Sequence, residues 1–483
     1  MSRLVHLLGA GSALALGLAM PQAFGQVADD EAYRTDQCCV VSLPPESIQA
    51  IYVVGERSSR EPGAYSSLNA SEIAEVRADH PAEILNSLPG VNIHTNSGQE
   101  HLIAIRSPVL NGGAGQGSFL VLQNGVPTRS PAFGNVNSLF EIHHETAEAI
   151  EIVRGPGSAK YGSNAVHGLI NIIQGEPTFG DSLDTRISGS TLGRYKADLT
   201  GNLSSGLRAS LSLQDDTGWR DNTGVEQQKL SVAYAFDAAG WDGLAWISAS
   251  NLNQETAGFI EGYKAYRDDD IASSNPNPEA YRDAQWAMGA VRLSREIGPG
   301  ELTLTPFYRW QEMAFAQHFL PNGGVEENGH DAFGLQSKYE VDASDALTLR
   351  IGADADIASG WLKETQLEPF GFFPGDTRFP VGVHYDYEVD TTVLALWSEL
   401  EWAVSDTVTV LAGLRGETHD YDYSTAAPPG PNGRFLVPDD REDSFDLLTP
   451  KLGAIWTPEG SAVSYYANYA RGERAPQASD LYR

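Results

Sequence analysis

The densest set of metal-capable side chains is Glu141, His143, His144 and Glu145. Imidazole nitrogens with carboxylate oxygens could bind a transition metal. Adjacent histidines on an extended segment point to opposite faces, however, so one such pair rarely chelates a single ion. Asp268-Asp269-Asp270 offers hard oxygen donors for calcium, or simply a solvated charge run. Gly155 to Gly162, with Lys160 inside it, could be mistaken for a phosphate cradle. A P-loop needs G-x-x-x-x-G-K-[ST], and that spacing is absent, so the glycines are read as allowing tight turns. Cys38 and Cys39 are adjacent; neighbouring Cα atoms lie about 3.8 Å apart, so a disulfide between them would be strained. Copper or redox chemistry at that pair competes with incidental thiols on a mobile segment. No spacing suggests a nucleophile with its base or a structural zinc site. The reading is of a protein that is not an enzyme, with no metal site and no cofactor.

The elements that must position these residues begin with an exported chain. Arg3 to Gly25 has a basic start, an apolar run from Leu7 to Met20, and small residues ending Ala23-Phe24-Gly25, which reads as a secretory signal over residues 1–25. That run is short of the ~20 apolar residues a membrane helix needs, and no later segment supplies them. A soluble periplasmic protein or a β-barrel remains. The length of 483 residues calls for more than one domain. A net charge of −32 argues against nucleic acid, because phosphate binding needs clustered Lys and Arg. Residues 26–65 read as a flexible arm: Asp29 to Ala50 is polar, contains proline and lacks periodicity. Near its end Ile51-Tyr52-Val53-Val54 forms a β-prone island, either a first strand of the next domain or a docking strand.

From Pro81 to Ile173 the pattern is a small α+β domain. Pro81 opens a short helix whose Ile84, Leu85 and Leu88 share one face, and Pro89-Gly90 ends it. Strands are expected at Leu102–Arg106, Phe119–Gln123 and Ala149–Val153, with a tight reversal at Asn124-Gly125. The order of motifs (LNSLPGV, IAIRS, NGVP, EIVRGPGSAKYG, GLINII) resembles the plug domain of TonB-dependent outer-membrane receptors. Ser107 and Gln123-Asn124 depart from that pattern at local turns. The expected plug spans residues 66–177.

From about Leu183 apolar and polar residues alternate in segments of roughly ten, as transmembrane β-strands do. Leu302, Leu304, Pro306, Tyr308 and Trp310 oppose Thr303, Thr305, Arg309 and Gln311. Trp246, Trp310, Trp402, Tyr465 and Tyr469 are placed as interface aromatics. Short turns such as Ser204-Ser205-Gly206 alternate with long polar segments such as Glu312–Asp331 and Ala358–Asp390, as in outer-membrane barrels. About thirteen strands are counted over residues 183–483, against about 22 in barrels that enclose a plug. The expected fold is therefore mainly β: a small plug followed by an incomplete antiparallel transmembrane barrel, with the C-terminal strands absent from this sequence.

The resemblance implies more than the residues state by themselves. It makes Ile51 to Val54 a TonB box, pairing as an added strand with periplasmic TonB. It implies a place in the Gram-negative outer membrane, in contact with its lipid. It implies import of a scarce bulky ligand driven by the inner-membrane proton gradient: a ferric siderophore, or cobalamin as the alternative. A passive pore or surface-binding protein is the rival of another class, and it needs neither plug nor box. Arg106 and Arg154 match plug arginines that meet barrel-wall carboxylates, with Glu399 and Glu401 as candidate partners. Asn96-Ser97-Gly98-Gln99 and Pro131–Asn137, including Phe133 and Asn135, would face the ligand. Phe319, His384 and Tyr385 would cover them from the loops, unless they are loop-packing residues.

Overall fold

The structure is a computed structural model that describes residues 64–109, 115–316 and 323–483. The signal, Cys38, Cys39, the Ile51-Tyr52-Val53-Val54 box, His318 and Phe319 lie outside the described residues.

The first part is a small mixed domain. In chain order it contains β1 (Ala64–Asn69), α1 (Ala70–Val76), α2 (Pro81–Leu85), β2 (Val91–Thr95) and β3 (His101–Ile105). Then come β4 (Phe119–Gln123), β5 (Val126–Pro127), β6 (Ala147–Arg154), α3 (Ser158–Tyr161) and β7 (Gly168–Gln174). Five strands form one sheet in the order β1-β6-β7-β4-β5, in which β4 and β7 run parallel. The hairpin β2–β3 stands apart from it. Helix α1 starts on a full capping box: Asn69 accepts from the Glu72 amide, and Glu72 accepts from the Asn69 amide. Helix α2 starts on Pro81, as its missing N–H allows, and the His80 Nδ1 accepts from the Ala82 amide at 3.0 Å. Leu68, Ile84, Leu85, Ile105, Ile150, Ile152 and Ile170 form the core. Asn124 and Gly125 both take positive φ, so the reversal read from that pair is present.

The second part is one antiparallel sheet. Its strands are β8 (Ser182–Gly189), β9 (Arg194–Leu203), β10 (Leu207–Asp216), β11 (Val225–Ala238) and β12 (Trp241–Glu255). After the short helix α4 (Asp269–Ser273) follow β13 (Tyr281–Ile297), β14 (Gly300–Ala316), β15 (Gly324–Ser344) and β16 (Leu347–Gln366). Next are β17 (Gly382–Ser405), β18 (Val408–Thr425), and a small hairpin of β19 (Gly430–Asn432) and β20 (Phe435–Val437). The sheet ends with β21 (Arg441–Trp456) and β22 (Tyr465–Ala470), and helix α5 (Ala478–Tyr482) follows it. Among the described residues thirteen strands pair in sequence order, the β19–β20 hairpin aside, with β8 and β22 at the two edges. The sheet is not closed.

Its two faces are inverted relative to a soluble protein. Outward stand Ile187, Ile247, Ile357 and Leu396, each more than half exposed. Inward, against the small domain, stand Lys229, Ser248, Arg309, Gln311 and His419, all nearly fully buried. Apolar-out and polar-in is what a strand needs when lipid lies on one side and a hydrogen-bonding filling on the other. No helix among the described residues is long and apolar enough to cross a membrane.

Two expectations are corrected here. Trp246 does not seek the interface; it points inward and packs with Val126, Trp286, Met288 and Phe307. The strands also run further than the alternation suggested. Glu312–Ala316 and Gly324–Asp331 are strand, and so are Ala358–Gln366 and Gly382–Asp390, which leaves shorter loops.

Candidate functional site

At the end of the sheet that carries the long connections, the small domain and the strands enclose a cavity of about 1400 Å³. Its floor is the β2–β3 hairpin with the 131–137 loop, and its wall comes from β13 to β17, the connection before β13 and the segment of α5 to Arg483. Asn96, Phe133 and Asn135 line it, as do Phe315, His330, Trp361 and Tyr387. The floor is fixed by short-range bonds. The His101 amide donates to Asn137 Oδ1 at 2.7 Å, the Asn137 amide to Asn135 Oδ1 at 2.8 Å, and Phe133 stacks on His330 at 5.2 Å.

The other predicted contact residues fall elsewhere. Gly98 and Gln99 turn towards β12, where the Gln99 amide donates to Gln254 Oε1 at 2.7 Å, and Ser97 lies outside the lining. His384 and Tyr385 belong to β17, not to a loop. His384 is buried, bonded to Glu364 at 3.1 Å and stacked on Phe435 at 3.8 Å. Tyr385 packs edge-on to the same ring. The residues that sequence reading missed, Gln311, Met313 and Arg282, lie on strand ends whose inward period-2 face was the available signal.

The charges that join the two parts have the opposite sense to that expected. The small domain supplies carboxylates and the wall supplies cations. Arg282 meets Glu100 at 3.3 Å, Arg292 meets Glu176 at 3.2 Å, and Arg194 pairs with Asp79. Glu145 receives Lys196 and Lys229, each at 3.1 Å. Glu399 and Glu401 do not reach Arg106 or Arg154. Arg350 approaches both carboxylates, and Lys451 reaches Glu399 at 2.6 Å. Arg154 instead donates to Ser66 Oγ at 2.8 Å and to the Pro89 carbonyl at 2.9 Å, while Arg106 is exposed beside the same turn. Burial, with Arg106 nearby, holds the Arg154 pKa below its ordinary value.

His143 and His144 point apart, although His144 opens a short 3-10 turn (His144–Thr146) where an extended segment was expected. His143 bridges Ser231 at 3.0 Å and Ser212 at 2.8 Å, whereas His144 faces Glu145 and Lys229, each at 3.3 Å. Burial pushes His143 down to about 4 and His144 well below its usual range, so neutral imidazoles act here as hydrogen-bonding spacers. Asp268 caps α4 through Ile271, and the adjacent acidic run is exposed. Bonds with a neutral group on at least one side complete the contact. Gln123 donates to Ser248 at 2.6 Å, Ser130 to Asp356 at 2.7 Å, and Trp286 to the Thr128 carbonyl at 3.0 Å. The Phe140 carbonyl accepts from Gln227 at 3.0 Å. On the opposite side the Ser163 amide donates to Glu417 at 3.2 Å.

Known proteins share this architecture. Over 292 residues, 51% of the chain, it is 25% identical to a ferric enterobactin receptor of Pseudomonas aeruginosa, spanning 37% of that protein's length. A vitamin B12 transporter of Vibrio vulnificus is 32% identical over 106 residues, 22% of this chain and 16% of the transporter. The solved structure of the unliganded ferric citrate transporter FecA superposes with a TM-score of 0.72 at 16% identity, a likeness of fold. It covers 88% of this chain and 65% of the FecA chain, so the present chain spans somewhat under two thirds of that protein. The TonB-dependent receptor plug domain family matches residues 57–169, and the TonB-dependent receptor-like β-barrel family matches residues 171–483. On these matches and on its inverted, plug-filled sheet, the chain belongs to the TonB-dependent receptors, a family of outer-membrane β-barrel receptors and transporters rather than enzymes.

Proposed function

We propose that the protein imports a scarce, bulky ligand across the outer membrane, a ferric siderophore in the first instance, at the expense of the inner-membrane proton gradient. The observation that carries this reading is the cavity of about 1400 Å³ whose floor is the plug itself. A ligand seated there meets a hydrogen-bonded domain instead of an open lumen, so passage requires the plug to move. Transport then needs work from outside the membrane, which a passive pore does not. The similarity to a ferric enterobactin receptor supports an iron chelate. The plug-length match to a vitamin B12 transporter supports cobalamin as the second reading.

In this reading residues 1–25 are the export signal, 26–65 the arm, 66–177 the plug and 183–483 barrel strands. Ile51, Tyr52, Val53 and Val54 are the strand that pairs with periplasmic TonB. Main-chain hydrogen bonds supply most of that affinity, and proline removes one donor while disturbing the extended register. Val53→Pro therefore abolishes uptake while ligand binding and surface level stay unchanged. Collapse of the proton gradient has the same effect on the unaltered protein. Normal uptake in either experiment removes the energised reading and leaves the pore or surface binder.

A further inference from the structure

The cavity wall carries charge, but none of its guanidinium groups stands alone. Among the described residues three arginines line it: Arg129, Arg282 and Arg483. Arg129 is paired with Glu141 at 2.5 Å. Arg282 meets Glu100 at 3.3 Å, donates to Met313 Sδ at 2.9 Å, and lies 4.6 Å over the Phe315 ring. Arg483 is held between Glu326 at 2.5 Å and Glu364 at 2.6 Å. Glu261 adds an exposed carboxylate at the same cavity, and no lysine lines it among the described residues. An anionic ligand would have to displace a carboxylate already bonded in a desolvated place, and would then face that carboxylate's charge.

The wall does hold an unmet demand at a neutral side chain. Gln311 on β14 is among the lining residues and is 1% exposed, and among the described residues neither its Oε1 nor its Nε2 has a hydrogen-bond partner. A buried primary amide wants both a donor and an acceptor from its partner. Asn96, Asn135 and Asn328 line the same space with further neutral amides, beside the apolar faces of Phe133, Phe315 and Trp361. Neutral polar groups set among aromatic faces select for an uncharged amphipathic ligand.

We infer that the cavity takes an uncharged, amide-bearing ligand read by the Gln311 side-chain amide, and discriminates against polyanionic chelates. This rests on the importer reading above and narrows it. Two sources share that chemistry: an electroneutral ferric tris-hydroxamate, and a corrinoid with its rim of carboxamides.

The test uses cells producing the protein from its own gene. Binding is measured for three probes: a neutral ferric tris-hydroxamate, cyanocobalamin, and a trianionic ferric tris-catecholate. At least one neutral probe should bind tighter than the catecholate by about tenfold or more, and which one does so identifies the source. Gln311→Leu, at equal surface level, should weaken that neutral probe by about tenfold, the consequence of one lost buried hydrogen-bonding pair. Glu261→Lys, at an exposed position, should narrow the gap by admitting the anion. A catecholate that binds the unaltered protein as tightly as the tighter-binding neutral probe overturns the proposal and leaves the importer reading standing. So does unchanged neutral binding in a normally displayed Gln311→Leu protein. Binding of none of the three overturns the proposal and leaves the importer reading to the uptake tests above.

Discussion

Glu145 is the plug carboxylate that receives two cations from the wall. It is almost fully buried, with the equally buried ammonium groups of Lys196 and Lys229 on it. Burial works to raise its carboxyl, but the His144 imidazole beside it and the charges of Lys229 and Lys196 outweigh that and hold the group well below the usual carboxylate range. Glu145→Gln strands two buried cations, which costs about 3–5 kcal/mol. Limited proteolysis of the plug in isolated membranes reads this, and unaltered resistance in the variant would show that the lysines find other partners. Acid should act on the same region. His80 and His143 are pushed down to about 4 by burial, against 6.5 in a free imidazole. A folded pKa below the unfolded one means the stabilisation is fully present above pH 6.5 and is lost as pH falls towards 4. At ~1.36 kcal/mol per pH unit each histidine contributes about 3 kcal/mol over that window. The Glu145 contribution disappears at still lower pH, in the same direction. Plug protection should therefore decline steadily between pH 6.5 and 4.5, and a flat profile would remove the histidines from the account. His143 and His144 were visible in the sequence as unusual. Their partners were not, because Ser212 and Ser231 lie 69 and 88 residues away in the chain.

Among the elements, β1 and β6 form the edge of the plug sheet, and Arg154 ties that edge to the turn after α2. Its acceptors, Ser66 Oγ and the carbonyl oxygens of Pro89 and Tyr65, are neutral and solvent-near, so the cost of Arg154→Ala is that of charged hydrogen bonds, about 1.5–3 kcal/mol at most. Faster amide exchange along Ser66–Leu68 in that variant, with none after the exposed Arg267→Ala change, is the expected result. Equal exchange in both would make the Arg154 bonds incidental. The plug motifs and the short turns were legible because each rests on a local requirement: a positive φ at Asn124 and Gly125, Pro81 at a first helical turn, alternation within the bilayer. Strand ends were not. In the upper part of β16 and β17 Lys363 and Asp386 stand outward while Glu364, Gln366 and His384 stand inward. With polar residues on both faces the period-2 signal disappears, although the ladder continues. The cavity was half legible for the same reason: its floor sits in the plug motifs, and its wall sits on those silent strand ends.

At the scale of the whole molecule the sheet has thirteen strands among the described residues and two free edges, β8 and β22. In an antiparallel sheet of odd strand number the first and last strands run the same way, so these two edges cannot complete the antiparallel ladder with each other. Each unpaired N–H or C=O costs several kcal/mol in hydrocarbon, so an open sheet does not persist in a bilayer. Residues 26–483 produced by themselves should aggregate or be degraded. The same residues joined to further strands that link β22 back to β8 should give a heat-modifiable outer-membrane species. Membrane fractionation followed by electrophoresis of boiled and unboiled samples decides it; a stable inserted barrel from residues 26–483 alone would refute the pairing shown here.

The chemistry of the plug–wall contact also has a mechanical side. Val126, Phe140 and Ala132 seat in apolar clusters, but the remaining bonds across the gap are largely hydroxyl, amide and carbonyl pairs. Such pairs exchange with water at a net cost of only ~0.5–1.5 kcal/mol each. A force drawn along the plug therefore meets a lubricated bearing, on which one contact after another slips and rewets. The ion pairs across it, Glu145 with two lysines, Glu100 with Arg282, Glu176 with Arg292 and Asp79 with Arg194, are its shear pins. The load at which the plug gives way is set by those few carboxylates, and not by the area of the surface that slides.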